Sequence, residues 1–149
     1  MNIIYRKAER GDCLEMMQLI KELALFERAP EQVTVSFDQF VESGFGDKPV
    51  WWAYVAMDEV KIIGLCLYYI RYSTWKGQRL YLEDLIVTKS YRGKGIGKKL
   101  MDIFIAEAKS GPFTGAMWQA LDWNTPAIRF YESYGARADA EWINFHMDF

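Results

Sequence analysis

Three strand-like segments follow one another between residues 51 and 88 with no helix between them. Residues 51–57, 62–72 and 79–88 are rich in Val, Ile, Leu, Tyr and Trp. Only turn chemistry separates them: Asp58-Glu59 after the first, and Ser73-Thr74-Trp75-Lys76-Gly77-Gln78 after the second. Connections this short make neighbouring strands antiparallel, because a parallel pair needs a crossover of a dozen or more residues. The centre of the chain is therefore expected to be an antiparallel meander whose two faces the remaining elements must cover.

The flanking sequence supplies those elements. Residues 3–7 read as a first strand. Asp12, with Glu15 three residues on, reads as a capping box opening a helix with Cys13, Met16, Met17, Ile20, Leu23 and Ala24 on one stripe; Pro30 stops that helix or lies just past its end. Ser36 and Gln39 form a second box, opening a short helix with Phe37, Phe40 and Val41 inward and Gly44 and Gly46 at its end. After the meander, a helix carries Ile96, Leu100, Ile103, Phe104 and Ala108 on its apolar stripe and ends at Gly111-Pro112. Residues 116–121 read as a fifth strand. Asn124 caps a last helix, with Pro126 in its first turn and Gly135 past its end, and residues 142–149 form a strand-like tail. The order β, α, α, β, β, β, α, β, α, β defines an α/β (α+β) protein, a mixed sheet with helices on its faces.

Composition narrows the function classes. With 149 residues, 51% of them hydrophobic, the chain is expected to be a single domain, residues 1–149, with a full core. A net charge of −2 argues against nucleic-acid binding through bulk charge. That total averages two opposed regions: residues 9–47 carry −6, and residues 88–100 carry +5. His146 is the one histidine, and Cys13 and Cys66 are the two cysteines. A His-activated nucleophile would need a His three residues from the end, and a Cys/His zinc site of ordinary spacing cannot be drawn, so no metal is expected. Two distant cysteines, no signal-peptide pattern and no long apolar run give the expectation of a cytoplasmic chain without a membrane partner.

The loop after the meander holds the most chemistry. In Arg92-Gly93-Lys94-Gly95-Ile96-Gly97, three glycines alternate at the start of a helix. Lys89, Arg92, Lys94, Lys98 and Lys99 surround them, with no acidic residue between 88 and 100. Close backbone approach and a helix N-terminus favour a phosphate-bearing ligand. A bland alternative is a helix-leading turn with incidental lysines. A P-loop is excluded because Lys99 follows Gly97-Lys98 and Arg92 stands where the first glycine is required. A dinucleotide fingerprint fails on the spacing of Gly93, Gly95 and Gly97.

The loop does fit the pattern [RQ]-x-x-G-x-[GA] at every position. With the element order, it resembles the acetyl-CoA pyrophosphate loop and fold of the GNAT superfamily of N-acetyltransferases. Further stretches sharpen the likeness: 19–24 with Glu27, Glu31-Gln32-Val33, Gly44-Phe45-Gly46, Tyr81-Leu82-Glu83-Asp84, Trp123-Asn124-x-Pro126, Phe130-Tyr131 and Gly135-Ala136. From about residue 3 to 142 the chain looks like the spermidine/spermine N1-acetyltransferase (diamine acetyltransferase) family, with thialysine acetylation as the nearest variant. It departs from the animal members in a short loop at Asp58-Glu59 and an early end at Phe149.

The resemblance implies acetyl-CoA as cosubstrate, a small-molecule di- or polyamine or a lysine-like amine as acceptor, and a homodimer. Direct transfer needs an amine that loses its proton, a polarised thioester and a stabilised leaving thiolate. By resemblance Glu83 is the general base, through water, and Tyr131 is the acid for the thiolate. Asp84 would bind the second ammonium and Glu27 would face the amine; Trp75 and Trp123 have weaker claims, as aromatic faces that can hold an ammonium. Backbone at Leu85, Ile86 and Val87 would pair with the pantetheine arm. Residues Arg92, Gly93, Lys94, Gly95, Ile96, Gly97 and Lys98, with Asn124, would hold the rest of the cofactor. Read without the family, Glu83 and Asp84 are a puzzle: successive strand residues face opposite sides, and no single register exposes both carboxylates while burying their neighbours. An edge position or a bulge would resolve it. Without the family, Tyr131 reads as a core tyrosine, Asn124 as a helix cap and Glu27 as a surface helix end. A non-catalytic CoA-binding sensor is the alternative from another class.

Overall fold

The computed structural model describes residues 1–149. Two compact units make up the chain, Met1–Gln119 and Ala120–Phe149.

The first unit is built on a sheet of five strands in the order β1 (Ile3–Lys7), β2 (Trp52–Asp58), β3 (Lys61–Ser73), β4 (Gly77–Val87) and β5 (Ala116–Trp118). The meander is present as expected: β2, β3 and β4 pair antiparallel, as do β1 and β2. Its turns are tighter than the sequence suggests, and β3 and β4 extend into residues 73–78, with Ser73 opposite Gly77. Only β4 and β5 run parallel, and only over Leu80–Leu82 against Ala116–Trp118. The expected fifth strand over 116–121 thus stops at Trp118.

One face of the sheet packs on α1 (Cys13–Phe26) and α2 (Phe37–Phe45). Cys13, Met16 and Leu19 of α1 and Phe40 of α2 join Val55, Leu65, Leu67 and Ile86 in one buried cluster. The other face packs on α3 (Ile96–Ser110), which buries Ile96, Leu100, Met101, Phe104 and Ala108. Phe104 meets Tyr68 of β3 at 5.8 Å between ring centroids. Helical spacing thus identifies the buried stripe of α3, with Met101 fully buried and Ile103 only partly.

Local capping decides where these helices start. The Ser36 hydroxyl accepts from Gln39 N at 3.1 Å, and the Gln39 side chain accepts from Ser36 N, so the second capping box is real. Asp12 precedes α1, but its carboxylate does not cap it. It accepts from Arg6 at 2.7 and 3.0 Å and from Glu9 N at 2.7 Å, while Glu15 accepts from Ile62 N of β3 at 3.0 Å. The expected Asp12/Glu15 box is therefore replaced by contacts that tie α1 to the sheet. Phe37, expected inward, is exposed, because a helix this short buries only Phe40 fully. Gly44 lies inside α2, where a Cβ would fall 2.2 Å from the Trp51 ring.

The second unit contains α4 (Thr125–Glu132). The Asn124 side chain accepts from Ala127 N at 3.4 Å, Pro126 stands in the first turn, and Gly135 follows with a φ of +78°. Residues 142–149 form no strand, contrary to their alternating pattern, since alternation makes a ladder only where a partner edge is paired.

Candidate active site

The puzzle of the adjacent carboxylates resolves at a β-bulge. Leu67 of β3 pairs with Asp84, but the next residue, Tyr68, pairs with Leu82, so Glu83 is an extra residue in β4. Before the bulge, alternation assigns Glu83 to the face of Tyr81. After it, alternation assigns Asp84 to the face of Ile86, which packs on α1. Tyr81 and Ile86 are paired with Tyr69 and Leu65, two residues on one face of β3. The extra residue thus lets two consecutive carboxylates serve the same side of the sheet, the side covered by α1.

Glu27 stands at the C-terminal end of α1 on that side. Its carboxyl is held above the usual range by burial. The half-buried Asp84 is pushed up to about 7, first by desolvation and then by the charges of Glu83 and Glu27. The resemblance-based grouping of Glu27, Glu83 and Asp84 therefore has a physical counterpart. The charges of Glu83 and Glu27 oppose the ionisation of Asp84, and a cation among them would relieve that opposition. Tyr69 and Tyr81 form the adjoining surface, with ring centroids 4.9 Å apart. Trp75, at the tip of the β3–β4 hairpin, is 83% exposed.

The bulge also sets which backbone groups of β4 face outward. Thr88 N donates to Ile63 O at 2.9 Å, so Ile86 and Asp84, in step with it, direct their backbone groups toward β3. Leu85 and Val87 direct theirs to the opposite edge, where β5 pairing has already ended at Leu82. Of the expected backbone trio, Leu85 and Val87 are thus the members on the open edge, while Ile86 belongs to the ladder. The Val87 carbonyl accepts from Arg92 Nε at 2.9 Å. Open N–H and C=O groups of this kind suit an extended amide-containing chain.

The glycine loop begins just beyond that edge. Gly93 and Gly95 have φ of +76° and +82°, and a Cβ on either would meet nothing within 4 Å. Their requirement is thus conformational. Gly95 caps α3, whose first-turn N–H groups lack intrahelical partners and favour an anion. The Ile96 side chain is core, so only its backbone is available to a ligand. Arg92 is anchored: its guanidinium lies 3.6 Å from Glu22 and over the Phe26 ring. Lys94 sits over the Tyr91 ring at 5.2 Å, and Lys98 pairs with Asp102 at 3.1 Å.

Two positioning residues escape the sequence reading. Glu22 of α1 accepts from Thr88 Oγ1 at 2.8 Å and Lys89 N at 2.9 Å, besides its pairing with Arg92. It ties the helix that ends at Glu27 to the base of the glycine loop. Tyr91 donates to Asp58 at 2.6 Å from the β2–β3 turn. Neither has a local sequence signal, because the partners are 66, 67 and 33 residues away. The second unit carries Tyr131 on α4, tilted against Phe130 at 5.6 Å, with Asn124 as the helix cap.

A glycine loop at a helix N-terminus, an open strand edge beside it and carboxylates on the adjacent face are an arrangement able to hold an anionic ligand near a cationic one. Residues 14–136 match the acetyltransferase (GNAT) family model, and the chain belongs to that family. It is 35% identical to a thialysine N-epsilon-acetyltransferase of Bos taurus over 154 residues, covering 97% of this chain and 89% of that protein. It is also 35% identical to spermidine/spermine N(1)-acetyltransferase-like protein 1 of Homo sapiens over 138 residues, covering 88% of this chain and 20% of that longer protein. A possible acetyltransferase of Clostridium difficile 630 shares the fold, with a TM-score of 0.81 at 21% identity and complete coverage of both chains. The chain is thus an acetyltransferase, and the non-catalytic sensor reading falls away.

Proposed function

We propose that this enzyme transfers the acetyl group of acetyl-CoA to a primary amine of a small molecule carrying more than one charged group, such as a di- or polyamine or a lysine-like amino acid. The observation that carries the reading is the Glu27, Glu83 and Asp84 cluster, with Asp84 pushed up to about 7. Asp84, opposed by the charges of Glu27 and Glu83, and the two adjoining tyrosine rings form a seat for an ammonium group.

Acetyl-CoA fits the residues of the loop and the strand edge. Backbone N–H groups of 93–97 and the α3 N-terminus receive the pyrophosphate, with Lys94 and Lys98 adding charge. Arg92 acts mainly by holding the loop to Val87 and Glu22. Leu85 and Val87 pair with the pantetheine arm, which lays the thioester along β4 toward the bulge.

In the reaction, Glu83 takes the proton of the attacking amine through water, and Asp84 and Glu27 help to seat that amine beside it. The amine nitrogen forms the new amide bond as the carbon–sulfur bond breaks, and Tyr131 gives a proton to the departing thiolate; that role rests on its place in the Asn124-x-Pro126, Phe130-Tyr131 motif. No covalent acetyl-enzyme is needed. Both thiols are buried, and burial pushes Cys66 up to about 12, so neither is a ready nucleophile.

Thiol release from acetyl-CoA, measured against spermidine, spermine, putrescine, 1,3-diaminopropane, thialysine and lysine, tests the reading. Amine-dependent release that falls about 100-fold or more in Glu83→Gln supports it. Binding of CoA with no release for any amine would overturn it.

A further inference from the structure

The acidic cluster occupies only one end of its face. Further along β3 and β4, Arg71 and Arg79 stand directly opposite each other in the ladder. Like charges so placed repel, and no carboxylate lies within salt-bridge distance of either. Arg79 is tied to the sheet: Nη2 reaches Ala116 O at 3.5 Å, and its guanidinium nitrogens lie 2.7 Å from where a Cβ on Gly115 would sit. Arg71 instead lies 5.9 Å over the Tyr81 ring, with Nη1 3.2 Å from the sulfur of Met117. A thioether is a weak acceptor, so the guanidinium keeps most of its donors for a better one. Its position over a ring preorganises it for a planar anion.

Tyr69 and Tyr81 connect the two ends. Both feel Glu83, which raises their pKa, and Arg71, which lowers it. A negative end and a positive end therefore flank one aromatic floor. Arg71 stands four residues along β3 from Leu67, the partner of Asp84, about 13 Å between backbones, and its guanidinium leans back over Tyr81 toward that end, which shortens the gap toward the reach of an extended lysine-sized molecule.

We propose that Arg71 determines specificity: its guanidinium receives the carboxylate of an amino acid whose terminal amine is seated among Glu27, Glu83 and Asp84. This rests on the amine reading above and narrows it to zwitterionic acceptors of lysine or ornithine size. A plain diamine would place its second ammonium toward Arg71, where two cations oppose each other.

The test compares lysine with 1,5-diaminopentane, which differs from it only in lacking the carboxylate. The native enzyme has the higher kcat/KM for lysine. Arg71→Gln lowers that value about 10- to 100-fold, mainly through KM, as expected for the loss of one charge-assisted hydrogen bond, while kcat/KM for the diamine rises. Arg71→Lys recovers part of the lysine activity. Equal native values for the two acceptors, or an equal loss for both in Arg71→Gln, would overturn the role of Arg71 and leave acetyl transfer standing. No transfer to any amine would overturn both.

Discussion

Asp84 sets function against stability. Its carboxyl titrates normally near 3.8 and is pushed up to about 7 by desolvation and by Glu83 and Glu27. A displacement of this size corresponds to about 4 kcal/mol, at 1.36 kcal/mol per unit; partial solvent access brings this to about 2–4 kcal/mol. The folded chain holds the proton more tightly than the unfolded one. Asp84 therefore costs nothing below its unfolded pKa, its penalty grows as pH rises to about 7, and it is constant above that. Asp84→Asn keeps the shape of the protonated acid and removes the charge. At pH 8 it should raise Tm by roughly 5–10 °C for a chain of this length. At pH 4.5 only about a quarter of the gain should remain, because little of the penalty has developed. The same variant should raise KM for the amine about 10- to 100-fold, since the cation loses a charged partner. Thermal unfolding at the two pH values, with amine kinetics at pH 8, checks all three. A variant no more stable than the native chain at pH 8, or equally stabilised at both pH values, would refute the reasoning.

Other perturbations separate the parts of the site. Tyr131→Phe should lower kcat by about 10²–10⁴ with acetyl-CoA affinity nearly unchanged, read by steady-state kinetics and CoA titration. Gly95→Ala strains a φ of +82°; it should cost about 1–2 kcal/mol in denaturant unfolding and raise KM for acetyl-CoA. Glu22→Ala removes the acceptor of Thr88 and Lys89 and the partner of Arg92. It should weaken acetyl-CoA binding several-fold while leaving amine selectivity in place, and Glu22→Gln should recover part of the loss. Gly44→Ala forces a Cβ to 2.2 Å from the ring of buried Trp51, which is stacked on Phe40 at 4.8 Å; urea unfolding should show a loss of about 1–3 kcal/mol.

What could be read without coordinates follows the range of the interactions. The Ser36/Gln39 box and the Asn124 cap are local, with donor and acceptor three residues apart, and the sequence shows both. Asp12 has the same local pattern, but Arg6 offers its carboxylate a charged partner and Glu9 N a second one. A charge-assisted bond displaces the cap, and no window around α1 would reveal it. The meander is legible because its turns are too short for any other connection. The bulge is half legible: two carboxylates in an apolar strand require an irregularity. That Glu83 is the extra residue depends on β3, where Leu67 and Tyr68 fix the register. Its consequence for Leu85 and Val87 against Ile86 is likewise a property of the pair of strands. Glu22 and Arg71 carry no signal at all in the sequence, since each acquires its role from residues distant in the chain or across the sheet.

A bisubstrate initial-velocity study asks most directly whether acetyl passes straight from donor to amine between the β4 edge and the carboxylate cluster. With buried thiols and no activated nucleophile, the account predicts intersecting lines in double-reciprocal plots and no thiol release from acetyl-CoA until amine is added. Parallel lines, with a burst of thiol in the absence of amine, would show an acetylated enzyme and contradict it.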